Sequence, residues 1–217
     1  MMPRWEIVDL DAGAEDVAAA RTVLAPDELA RAARFLREED RRRFAMARSA
    51  LRRTLAREMG ADPRAIAFRY GPNGKPSLEG NELRFNLSHA GGRALIAWTD
   101  GGEIGVDIEN VRPVRFGEKI ARRYFSDDER RAFGGISDAR WNETFFRCWT
   151  RKEAFIKAIG DGLSYPLRSF DVPMGVRVAD GSIRADGARR WRLDSIDAGP
   201  GFVAAIVTER EGSRGSS

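Results

Sequence analysis

The sequence predicts an α+β protein of two similar αβ halves, residues 1–104 and 105–217, with mostly antiparallel strands and a long packed helix in each half. Three observations predict it. Apolar residues recur at helical spacing in two long segments: Phe44, Ala47, Leu51, Leu55 and Met59 in one, Phe145, Trp149 and Ile156 in the other. Short apolar segments joined by Gly-rich turns follow the first of them, the pattern of hairpins rather than of helical crossovers. Finally, ALIAWTD (94–100) and VAAIVTE (203–209) echo each other, each an apolar strand ending in Thr and an acid.

Each element has a local reason. Residues 5–10 (WEIVDL) read as a short strand. Pro26 opens a helical region that Gly60 and Pro63 end. Residues 71–76 (GPNGKP) make a turn. In 83–89 (LRFNLSH), Leu83, Phe85 and Leu87 point one way and Arg84, Asn86 and Ser88 the other. Residues 94–98 and 103–109 are the next strands, separated by Asp100–Gly101–Gly102. Ser126 and Glu129 form a capping box for a short helix, since a Ser side chain and an acid three residues on satisfy each other's backbone amides. After Gly134–Gly135, a strong helix runs from about Asn142 to Ile159 and stops at Gly160. Residues 176–178, 191–196 and 202–207 read as strands, and 211–217 as a tail.

Composition excludes several classes. The 217 residues are 42% hydrophobic and 32% charged, with a net charge of +4. No apolar run approaches the ~18 residues of a membrane span. Residues 1–16 carry acids where a secretory leader needs an apolar stretch, so a cytoplasmic protein is expected. One Cys and one His leave no disulfide framework, zinc finger or His-rich centre, so a metal would be a hard cation on oxygen ligands. Cys148, within the apolar part of a helix, reads as a small buried hydrophobe.

Basic residues are unevenly chosen, 33 Arg against Lys75, Lys119, Lys152 and Lys157. Ten of the Arg fall in residues 31–57, where Arg41, Arg48 and Arg52 share a face. Such a stripe is either a solvated helix face or an anion-binding surface. Aromatics are not interleaved with it as in RNA-binding modules.

The chemistry concentrates in two places. In strand 103–109, Ile104, Val106 and Ile108 take one face, so Glu103, Gly105, Asp107 and Glu109 share the other, and the carboxylates of Asp107 and Glu109 stand about 6.6 Å apart along the strand. Like charges so placed repel unless water screens them or a cation lies between them. Gly105 leaves room for a ligand or another backbone. In helix 142–159, Glu153 and Lys157 are one turn apart. They are either a surface ion pair or a third oxygen ligand and a phosphate clamp for a Mg²⁺ site. His89 follows Ser88 on the opposite strand face, so the two do not form a nucleophile–base dyad.

In order along the chain stand GKP (74–76), FNLSH (85–89), GVDIE (105–109), Phe125-Ser126 with Glu129, and WTRKEAFIK (149–157). This set resembles that of the 4′-phosphopantetheinyl transferases of the single-chain, surfactin-type class, over about residues 26–170. The resemblance implies a pseudo-twofold pair of α+β halves with coenzyme A and Mg²⁺ (or Mn²⁺) between them. The activity implied is transfer of phosphopantetheine from coenzyme A to a serine of an apo acyl or peptidyl carrier protein. It implies Asp107, Glu109 and Glu153 as metal ligands, and Lys157 and His89 as phosphate contacts. Lys75, Pro76, Ser88, Arg31 and Arg43 would bind the nucleotide end. The base would be Glu153, directly or through water, with Glu129 the second candidate. Carrier proteins are acidic, and a pI near 9.6 favours steered encounter. The expected docking surface is residues 110–125, with Arg112, Arg115, Arg122 and Arg123 around Phe116 and Phe125. A monomer that binds neither nucleic acid nor membrane is expected. Two rivals use the same residues differently: a Mg²⁺-dependent phosphohydrolase on the acidic trio, and a nucleic-acid-binding module on the Arg stripe.

Overall fold

The two long amphipathic segments are 22-residue helices, α3 (Glu38–Met59) and α6 (Asp138–Ile159). A computed structural model describes residues 2–11, 13–183, 185 and 190–210, so the expected tail at 211–217 lies outside the described residues. Around α3 lie β1 (Arg4–Asp9), α1 (Ala14–Arg21), α2 (Pro26–Ala33), β2 (Phe68–Tyr70), β3 (Pro76–Leu78), β4 (Arg84–Ala90) and β5 (Arg93–Thr99). Around α6 lie β6 (Ile104–Asn110), α4 (Gly117–Tyr124), α5 (Asp127–Ala132), β7 (Gly181–Ser182), β8 (Trp191–Ile196) and β9 (Phe202–Glu209).

Both halves are wound the same way. The first sheet has the order β1-β5-β4 and the second β6-β9-β8-β7, every pair antiparallel. In each half a first strand leads through the long helix into a hairpin, whose second strand inserts beside the first. The two echoing segments, 94–100 and 203–209, are thus the central strands β5 and β9, where both faces must be apolar. Leu95 and Ala97 on one face of β5 pack with Ile104, Val106 and Ile108 of β6 and with Ala204 and Ile206 of β9. Ile96 and Trp98 on its other face meet Leu51 and Leu55 of α3. Val203, Ala205 and Val207 on the far face of β9 pack with Phe155 and Ile156 of α6. The layers therefore run helix, sheet, sheet, helix.

Several expectations need correction. Residues 176–178 are not a strand. The carbonyls of Pro173, Gly175 and Val176 accept from the buried Arg151 guanidinium, which takes the place of a neighbouring strand. The edge strand is Gly181–Ser182 instead. Helix α6 starts a turn earlier than expected, after Ser137. The 71–76 turn closes a hairpin, β2–β3, whose strands the sequence did not announce. The basic stripe divides: Arg41 stays exposed, while two of its residues turn inward. Arg48 and Arg52 are buried, and their Nε atoms each donate at 2.6 Å to the carboxylate of Glu28, itself 2% exposed. Their guanidinium groups lie 4.5 and 5.1 Å over the Phe68 ring of the hairpin. Among the described residues, no helix is long and apolar enough to cross a membrane.

Candidate active site

Strands β4 and β6 are each the edge of their own sheet, and the two edges meet at the seam between the halves. Along an edge strand, alternate amides point away from the sheet and lack a ladder partner. At β6 those amides belong to Val106 and Ile108. Side chains of β4 take them: Asn86 Oδ1 accepts from Val106 N at 2.9 Å, and Ser88 Oγ lies 3.4 Å from Ile108 N. Ser88 also donates to Asp107 Oδ1 at 2.8 Å.

Helix α6 covers the other face of β6, and Gly105 permits it. A Cβ at Gly105 would lie 2.1 Å from the carbonyl oxygen of Ala154 and 2.2 Å from the amide of Ala158. The room left by the missing side chain is filled by another backbone. This close approach sets Lys157 against β6: its ammonium donates at 2.6 Å to Asp107 Oδ1 and at 3.0 Å to Ser88 Oγ. Lys157 thus pairs with Asp107 within its own half and reaches Ser88 across the seam, which excludes the reading of a solvated surface pair with Glu153.

The carboxylates sense one another. Burial first, and the Asp107 charge next, push the Glu153 carboxyl up to about 7, with Lys157 pulling the other way. Burial and Asp107 likewise raise Glu109, against the pull of Arg112, which donates to it at 3.2 Å. Among the described residues, no three acidic, His or Cys side chains stand in a group that could hold a metal ion as they are placed. Yet Asp107 Oδ2 is buried with no hydrogen-bond partner, and an unsatisfied buried carboxylate oxygen is costly. Three mutually repelling carboxylates, one with an orphaned oxygen, suit a hard divalent cation that would neutralise them.

The remaining candidates divide. His89 points to the α3 side of its sheet, opposite Ser88. His89 is exposed at the end of β4, yet partial burial and the nearby positive charges of Lys157 and Arg31 lower its pKa. The Arg31 guanidinium also lies 5.4 Å over the Phe44 ring. Arg43 is ion-paired to Asp11 at 2.7 Å and to Glu39 at 2.6 Å. Lys75 and Pro76 sit in the hairpin turn that docks on the end of α6: Lys75 Nζ donates to Glu103 at 2.8 Å and to the Ala158 carbonyl at 2.7 Å, while Asn73 reaches the Gly160 carbonyl. Glu129 is not brought to the acidic trio by any of its bonds. It closes the capping box with Ser126, accepts from Val172 N, and pairs at 2.7 Å with Lys152, which is 0% exposed. Sequence reasoning gave no role to Asn86, whose one signal was its place on the Ser88 face of β4, or to Glu103 as the partner of Lys75, and it read Arg112 as a docking residue rather than as a partner of Glu109.

Comparison with known proteins finds matches in both parts of the chain. Residues 11–100 match the family model described as 4′-phosphopantetheinyl transferase, N-terminal, and residues 103–207 that of the 4′-phosphopantetheinyl transferase superfamily. The 4′-phosphopantetheinyl transferase HetI of Nostoc sp. is 39% identical over 197 residues, covering 89% of this chain and 80% of that protein. A Bacillus subtilis 4′-phosphopantetheinyl transferase is 34% identical over 91% of each chain. The 4′-phosphopantetheinyl transferase Sfp of Bacillus subtilis is 30% identical over 84% of this chain and 81% of its own. Two halves wound alike, an acidic trio at their seam and these likenesses lead to one conclusion: the chain belongs to the 4′-phosphopantetheinyl transferase superfamily, in its single-chain, surfactin-type class.

Proposed function

We propose that the protein transfers the 4′-phosphopantetheine group of coenzyme A to a serine of an apo acyl or peptidyl carrier protein, releasing adenosine 3′,5′-bisphosphate. The single observation that carries this reading is the knot of Ser88, Asp107 and Lys157, flanked by Glu109 and Glu153, at the seam between the halves. The serine oxygen attacks the phosphorus bearing the pantetheine arm, the bond to the adenosine phosphate breaks, and the serine proton goes to Glu153 Oε, directly or through one water. Asp107, Glu109 and Glu153 would hold Mg²⁺ or Mn²⁺, which supplies charge neutralisation at the diphosphate when bound. Lys157 presents its ammonium where negative charge grows on the leaving phosphate. His89 and Arg31 offer positive charge to the nucleotide end, with Ser88 nearby at the seam. Lys75 and Pro76 shape the turn that borders it, while Arg43 reaches the nucleotide only by leaving Asp11 and Glu39.

The nucleotide side is assigned to residues 1–104, and the metal and carrier side to 105–217. On the carrier side Phe116 is 61% exposed, with Arg115 and Lys119 beside its ring at 5.1 and 5.3 Å. Phe125 does not join it, because it is fully buried between Phe133 and Phe145. The docking surface is therefore Phe116 with Arg112, Arg115, Arg122 and Arg123, offered to an acidic partner. We place the protein in the cytoplasm, acting as a monomer without nucleic acid or membrane.

The test is intact-mass spectrometry of an apo carrier protein incubated with coenzyme A, Mg²⁺ and this protein. The expected outcome is one added phosphopantetheine, lost with EDTA or with Asp107→Ala. Breakdown of coenzyme A with no mass gained by the carrier would assign a phosphohydrolase instead.

A further inference from the structure

Strand β6 has an unusual support. It is the edge of its sheet, so the amides of Val106 and Ile108 are turned away from β9 and toward the other half of the molecule. These two amides bracket Asp107 in sequence. Asn86, buried at the seam, supplies the acceptor for the first at 2.9 Å. Ser88, two residues along the same face of β4, lies by the second and also bonds the Asp107 carboxylate. Two side chains thus stand in for a neighbouring strand, one before the carboxylate and one after it.

We propose that Asn86 is a positioning residue: by accepting from Val106 N, it fixes the edge of β6 so that Asp107 and Glu109 meet Glu153 of α6. Asn86 touches neither substrate nor metal and acts only through the backbone it holds. Its side chain reaches across the seam from the N-terminal half, so the proposal also makes the metal geometry of one half depend on a residue of the other. The inference rests on the metal reading above for its consequence, but not for the contact itself.

Without the acceptor, the Val106 amide is left buried and unpaired, and the strand shifts to find water or another partner. A displacement of about 1 Å in a reacting constellation costs on the order of 100-fold in rate. The experiment compares wild type with Asn86→Ala, Asn86→Asp and, as a control in the helix-packed core of the same half, Leu55→Ala. Three quantities are read: amide hydrogen exchange of the peptide spanning 104–110, the dissociation constant for Mn²⁺ without coenzyme A, and kcat and KM for transfer.

For Asn86→Ala we expect exchange across 104–110 and the Mn²⁺ dissociation constant each to rise about tenfold, since one unpaired amide is worth that order. kcat should fall roughly 10- to 100-fold while KM for coenzyme A stays within about twofold. Asn86→Asp keeps an acceptor oxygen and should restore the exchange protection. Leu55→Ala should lower the melting temperature at least as much with neither effect on β6. Should Asn86→Ala not fold, Asn86→Val, which fills the space without an acceptor, is read the same way. Unchanged exchange and Mn²⁺ affinity in Asn86→Ala, or equal changes in Leu55→Ala, would overturn the proposal. Mn²⁺ that binds Asp107→Ala as tightly as wild type would count against the metal reading alone, and exchange at 104–110 would still decide the role of Asn86.

Discussion

Partial burial first, and the charges of Lys157 and Arg31 next, lower the His89 pKa from its ordinary value in the ligand-free protein. A phosphate bound beside it reverses that balance and raises the pKa, so binding takes up a proton. The sign follows from linkage: affinity is greatest below the lowered free value and falls as pH rises through the window up to the bound value. Calorimetry of adenosine 3′,5′-bisphosphate binding near pH 7, in buffers of different ionisation enthalpy, should therefore show proton uptake that His89→Ala removes. Equal uptake in both proteins would place the nucleotide phosphates elsewhere. Lys157 illustrates what a side-chain list leaves open. A helical wheel gives it Glu153 as a partner one turn away, but the ammonium reaches Asp107 and Ser88 because α6 lies directly on β6.

That close contact is the main fact at the scale of elements, and Gly105 is its cause. A methyl group there meets the backbone of α6 rather than a movable side chain. Gly105→Ala should destabilise the protein by about 1–3 kcal/mol, as overpacking against rigid neighbours does. Urea denaturation measures the loss, and an unchanged midpoint would show that α6 gives way without cost. The strand carrying Asp107 and Glu109 was legible in the sequence because alternation alone fixes which residues share a face. The helix carrying Glu153 and Lys157 was legible from its apolar spacing. The seam was not, since nothing in residues 86–88 announces that their partners are the amides of residues 106 and 108. The burial of Arg48 and Arg52 within the Arg stripe was hidden for a related reason. Helical periodicity separates faces but does not say what covers them, and here Glu28 of α2 and Phe68 of the β2–β3 hairpin lie on it.

For the whole molecule, the repeated winding decides where chemistry can occur. Each half sets one sheet edge against the other, and among the described residues the junction of those edges is the place where side chains from both meet around the buried Asp107 carboxylate. The exposed cations of 112–123 lie on the C-terminal half, with Phe116 standing out among them. Such a surface raises the rate of encounter with an acidic partner and is screened by salt. Reversing Arg122 and Arg123 to Glu should raise KM for the carrier protein several-fold, of the order expected for rim charges, and leave KM for coenzyme A alone. An equal rise in both would move the docking surface elsewhere. The sequence made both halves visible through the echo of β5 and β9, but not their face-to-face stacking, which depends on Leu95 and Ala97 meeting Val106 and Ile206.

The most direct measurement is a Mn²⁺ titration of the protein with coenzyme A present, comparing wild type, Asp107→Asn and Glu153→Gln. If β6 and α6 share one divalent ion, wild type binds a single ion, and either substitution weakens it and lowers turnover together, by about 100-fold in rate. Tight single-site binding that survives Glu153→Gln, with turnover intact, would contradict the account.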